Sequence, residues 1–210
     1  NRVTKSITMD IYSGHFNTVR GESSCGKQDN VPLTLNVYGG QWNGSYMPVN
    51  RTNNKGTTSL KDSLVTTNIY DGTFKTCYMG GQNARNQEFV NNVYGGTFSG
   101  WFYGGGSGWA KKVTNNIYGG IFNNGQNIMG AYSNPSTASN IYAEQTIDNN
   151  FYGGEGVSTG NKQLYLGNGS ALFTGVIKNN FYAAGEFGPG FNAKRTYVFG
   201  GSAGTHTNTE

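Results

Sequence analysis

Two glutamates stand at nearly equivalent places after a tyrosine-containing turn. Glu155 lies three residues beyond Tyr152, and Glu186 lies four beyond Tyr182. Carboxylates on neighbouring turns of a repeat would sit about 5 Å apart, the separation used by retaining glycosidases. The two offsets differ by one residue, however, and the chain has only 11 Asp and Glu, mostly scattered. His15 and His206 lie near opposite ends of the sequence, and Cys25 and Cys77 have no metal-ligand spacing. Gly153-Gly-Glu-Gly-Val-Ser158 lacks the aspartate of calcium-binding nonapeptide repeats. The glycine-rich turns lack the Lys-Ser/Thr of a phosphate loop. The expectation is therefore no catalytic residue, no metal and no cofactor. A polysaccharide-degrading lyase or glycosidase is the alternative.

The residues that do recur bind rather than react. Tyrosine supplies an apolar ring and a hydroxyl, and asparagine supplies paired donors and acceptors. Both fall in a motif that appears seven times, from Ile7-Thr-Met-Asp-Ile-Tyr-Ser-Gly14 to Ile177-Lys-Asn-Asn-Phe-Tyr-Ala-Ala184. Its tyrosines are Tyr12, Tyr38, Tyr70, Tyr94, Tyr118, Tyr152 and Tyr182, in steps of 26, 32, 24, 24, 34 and 30. Variable steps above a floor of 24 mean a fixed unit with loop insertions. A second, looser motif follows, as in Cys77-Tyr-Met-Gly80 and Trp101-Phe-Tyr-Gly104. Between the two lies an aromatic: Phe16, Trp42, Phe74, Phe98 or Phe122.

Such a unit holds two or three short strands separated by glycine turns, with no helical periodicity. Glycine is 34 of 210 residues and asparagine 28, which suits turns and excludes a helical bundle. Twenty-four residues are too few for a propeller blade of about 40. The spacing predicts an all-β fold, a parallel β-helix solenoid of about seven coils, right-handed by the general crossover preference. One domain is expected over 1–202, with a polar tail at 203–210.

Alternation along the strand assigns faces. The apolar positions must point inward, and between them run Met9, Leu35, Thr67, Asn91, Asn115, Asn149 and Asn179. Four consecutive buried asparagines are tolerable only as a hydrogen-bonded ladder. The outward set then carries the tyrosine column and Asn36, Asn68, Asn92, Asn116, Asn150 and Asn180, with Asp10 at the head. A row of Tyr and Asn suits the faces and hydroxyls of sugar rings. Asp148, between Thr114 and Lys178 in one outward column, is expected to pair with Lys178.

Asn92-Val-Tyr-Gly-Gly-Thr-Phe98 and Asn116-Ile-Tyr-Gly-Gly-Ile-Phe122 resemble the glycine-rich β-solenoid repeats of large bacterial cell-surface proteins. The aromatic face is similar in spirit to that of tapirins, cellulose-binding surface β-helices. The resemblance implies an extracellular or cell-surface location and an adhesive or scaffolding role.

The expected partners are a polysaccharide or cell-wall glycan and, by end-to-end self-association, further copies of the chain. A net charge of +4, without a basic cluster, gives no reason to expect nucleic acid. The uncharged stretch 89–110 contains seven glycines, so no membrane span is expected. Cys25 and Cys77 belong to repeats two apart, about 9.6 Å by strand spacing. A disulfide would require the loop carrying Cys25 to bend across the intervening coil.

Overall fold

The computed structural model describes residues 5–23, 32–50, 64–79, 88–105, 112–122, 127–128, 146–152, 163–165, 176–182 and 196–198. Cys25, Glu155, Glu186, His206 and the 203–210 tail lie outside them. In chain order the strands are β1 (Ile7–Ile11), β2 (His15–Phe16), β3 (Val19–Ser23), β4 (Leu33–Val37), β5 (Gln41–Asn50) and β6 (Leu64–Ile69). Then come β7 (Thr73–Tyr78), β8 (Glu88–Val93), β9 (Thr97–Tyr103), β10 (Lys112–Ile117) and β11 (Ile121–Phe122). The last are β12 (Asn127–Ile128), β13 (Thr146–Phe151), β14 (Gln163–Tyr165), β15 (Val176–Phe181) and β16 (Thr196–Val198). No helix occurs among the described residues.

The strands make two parallel sheets. The first runs β1-β4-β6-β8-β10-β13-β15, one strand from each repeat. The second runs β16-β14-β12-β9-β7-β5-β2, with β3 also on β5 and β11 also on β9. Neighbours in the first sheet are always successive repeats in register, as Asn115 with both Asn91 and Asn149. This is the arrangement of a parallel β-helix-like fold.

Register follows from the strand period of two. A slip of one residue would turn the buried set outward. Leu33, Leu35 and Val37 on β4, and Phe89, Asn91 and Val93 on β8, are buried, while the residues between them are half-exposed. The second sheet contributes its post-turn aromatics to the same core. Phe16, Trp42, Phe74, Phe98 and Phe122 stack in sequence at centroid distances of 4.9, 4.5, 5.1 and 4.8 Å. Tyr46 packs edge-on against Trp42 and Phe74, and Phe102 does so against Phe98 and Phe122. Residues of both sheets form one hydrophobic cluster.

The Tyr-Gly-Gly signature has two separate causes. The second glycine takes a positive φ, +114° at Gly40, +96° at Gly96 and +102° at Gly120, a region L side chains avoid. The first glycine passes the preceding repeat so closely that a Cβ on Gly95 or Gly119 would run into the carbonyl of Tyr70 or Tyr94. Cys77 is a free, buried thiol with Sγ 3.6 Å from Met79 Sδ, and burial pushes its pKa well up.

Candidate functional site: the outward tyrosine and asparagine columns

Each tyrosine follows directly on a first-sheet strand, where the backbone ladder still holds. Tyr38 N–H donates to the Ile11 carbonyl at 2.8 Å, Tyr94 N–H to Ile69 at 2.8 Å, and Tyr152 N–H to Ile117 at 2.7 Å. These bonds set the rings one strand spacing apart. From Tyr12 to Tyr182 successive centroids are 4.9, 4.9, 5.0, 4.9, 4.6 and 4.7 Å apart, and the ring planes differ by only 4° to 9°. Each face is therefore covered by the next ring. Exposure is 40–49% for the six later tyrosines and 69% for Tyr12 at the head of the column. What the column offers outward is ring edges and phenol oxygens, and the most open ring is Tyr12 at its head. Sugar packing on ring faces, expected from the residue types, has no room along the interior of the column.

Two of the phenols, Tyr38 and Tyr118, are pushed toward their neutral form. Desolvation between neighbouring rings raises the pKa of Tyr38, and the charges of Asp10 and of the Tyr70 and Tyr12 phenolates add to it. Tyr118 is raised by desolvation first, then by Tyr152 and Tyr94. A phenol O–H can both donate and accept a hydrogen bond.

Beside it runs the outer amide ladder. Nδ2 of each asparagine donates to Oδ1 of the preceding repeat: Asn68 to Asn36 at 2.8 Å, Asn92 to Asn68 at 2.7 Å, and Asn116 to Asn92 at 2.8 Å. Asn150 donates to Asn116 and Asn180 to Asn150, both at 2.9 Å. The chain of bonds ends at Asp10, whose Oδ1 accepts from Asn36 at 2.7 Å. A carboxylate suits this place, because the last member has only to accept. Each amide between the ends uses one N–H and one lone pair in the ladder. The ladder leaves the second N–H and second lone pair of each such amide unused.

The buried asparagines form a second ladder of opposite direction. Asn91 donates to Asn115 at 2.8 Å, Asn115 to Asn149 at 2.8 Å, and Asn149 to Asn179 at 2.9 Å. The other N–H of Asn91 goes to the Gly104 carbonyl at 2.8 Å, at the end of β9. This ladder is structural, since Asn91, Asn115 and Asn149 have no exposed surface.

Asp148 Oδ2 lies 3.9 Å from Lys112 Nζ, diagonally across from the preceding repeat, and Asp148 stands in direct register with Lys178 on β15. The exposed indole of Trp101, 47% accessible on the second sheet, went unmarked in the residue pattern. The parity that buries Phe102 turns Trp101 outward, and that signal was available. Among the described residues no group of three His, Cys, Asp or Glu could hold a metal ion. Also among them, no helix is long and apolar enough to cross a membrane. No protein-family model matches the chain, and neither does a curated protein or a solved structure.

Proposed function

We propose that the chain is a right-handed parallel β-helix of seven coils and a non-catalytic module of the cell surface or extracellular space. Its outward Tyr and Asn columns bind an extended polysaccharide. The supporting observation is the unbroken outer pair of columns, seven stacked phenols beside seven linked amide and carboxylate groups. Six parallel-strand spacings of about 4.8 Å give a straight track of about 29 Å. A compact ligand would use one or two positions of such a track. A linear glycan, with hydroxyls recurring at a similar interval, can use all of them. Phenol oxygens and the second amide N–H groups would meet its hydroxyls, and ring edges would meet its C–H surface.

The test is pull-down on insoluble cellulose or chitin. Replacing Tyr94 and Tyr118 together by alanine should weaken retention about tenfold, taking roughly 0.5–1.5 kcal/mol for each ring contact. The circular dichroism spectrum should not change. A folded parent that no glycan retains, or equal retention of the double variant, would refute the reading.

Self-association is the second reading. Among the described residues β1 and β15 each pair on one side only. An open edge is a template for another strand. End-to-end contact with a further copy would continue both columns, and sedimentation that is independent of concentration would argue against it.

A further inference from the structure

At the start of the inner ladder three polar atoms have no hydrogen-bond partner in the protein. They are Thr67 Oγ1, Asn91 Oδ1 and Tyr46 Oη, all on residues without exposed surface. Their shortage has a sequence cause. Each later rung receives a hydrogen bond from the asparagine before it, as Asn115 does from Asn91. The rung before Asn91 is Thr67, in direct register on β6. Its side chain is too short to donate across the gap between strands. Tyr46 comes to the same place from the second sheet. Its phenol lies near the Thr67 hydroxyl, but the two do not reach hydrogen-bond geometry. Burial pushes the Tyr46 pKa up, so the phenol keeps its proton.

We propose that Tyr46, Thr67 and Asn91 form a binding site for one buried water molecule at the head of the inner ladder. The large majority of buried polar side-chain atoms find a hydrogen-bond partner, because an unpaired one destabilises the fold. The chemistry of the three atoms selects the ligand. Two hydroxyls can each donate or accept, whereas Asn91 Oδ1 can only accept. Water satisfies all three, donating to Asn91 Oδ1 and to one hydroxyl and accepting from the other. Buried waters commonly make about three such bonds. A metal cation has no carboxylate to balance it, since no acid appears among the buried residues described. The inference is independent of what the outer columns bind.

A high-resolution crystal structure of the parent should show one water about 2.7–3.2 Å from Asn91 Oδ1 and at least one of the two hydroxyls. Thr67→Asn supplies the missing donor, lengthens the ladder by one rung and should expel that water. Its Tm should rise by about 2–4 °C, the shift expected for one buried hydrogen bond gained in a chain of this size. Thr67→Val removes a partner without adding one and should lower Tm. A parent site in which Thr67 Oγ1 bonds directly to Asn91 or Tyr46 and no water density appears would overturn the proposal. So would a Thr67→Asn variant that keeps the water, or one that melts no higher than Thr67→Val.

Discussion

Asn115→Ala should destabilise the protein by about 3–5 kcal/mol, several times the effect of Asn116→Ala one residue away. The two asparagines share a strand and both belong to ladders, so only burial separates them. Asn115 accepts from Asn91 and donates to Asn149, and all three are fully buried. Truncation takes the acceptor from one N–H of Asn91 and removes the donor that Asn115 gives to Asn149 Oδ1, both in the core. Each such loss costs roughly 1–3 kcal/mol, and the cavity adds more. Asn116 is half-exposed, so water can replace the bonds it makes to Asn92 and Asn150. Its loss should cost less than about 1 kcal/mol. Urea denaturation with unchanged m-values would measure both. Equal effects at the two positions would mean that the inner ladder does not carry the core.

Gly100→Ala should be more damaging still, above about 3 kcal/mol and possible only with a shift of the backbone. In β9 two residues, Ser99 and Gly100, stand opposite the single Lys75 of β7, and this is a bulge. There the chain comes so close to its neighbour that a Cβ on Gly100 would fall on the Lys75 carbonyl, far inside contact distance. Backbone on both sides leaves no flexible group to move aside. Gly44 of β5 meets the carbonyl of Asn17 in the same way. Gly96→Ala is the control. Its φ of +96° strains an L residue, but the nearest atom to an added Cβ is the Gly72 oxygen at 3.2 Å. That change should cost about 1–2 kcal/mol. Thermal melting of the two variants ranks them, and a Gly100→Ala protein as stable as Gly96→Ala would show that the bulge is not tight.

Much of this architecture was readable because parallel stacking forces chemically like residues into register. The recurrence of Ile-x-Asn-x-Ile before Tyr placed Val113 and Ile117 on the buried side of β10. The parity that buries Asn91 puts Asn92 outward. Three features were not readable, each for a physical reason. Direction in an amide ladder depends on which oxygen lacks a donor at its end, and Asp10 and Thr67 decide that where they stand in place of the repeat's asparagine. Ring orientation was also hidden. A column of tyrosines on a strand face is compatible with rings lying flat on the sheet or standing face to face. The strand spacing of about 4.8 Å favours mutual stacking. The bulge in the second sheet was hidden because β7 has one residue fewer than β5 and β9 between paired positions, and the looser motif there gives no fixed count.

The most direct test of the outer columns as a glycan track is a titration followed at the tyrosine rings. Ring-labelled tyrosine would be observed by nuclear magnetic resonance while soluble cello- or chito-oligosaccharide is added. The expected result is progressive shifts at Tyr38, Tyr70, Tyr94, Tyr118 and Tyr152, more of them moving together as the oligosaccharide lengthens, with buried Tyr46 and Tyr103 unmoved. Unperturbed outward rings at a concentration where binding is saturated by calorimetry would place the site elsewhere. Unperturbed rings and no heat with any glycan would contradict the account altogether.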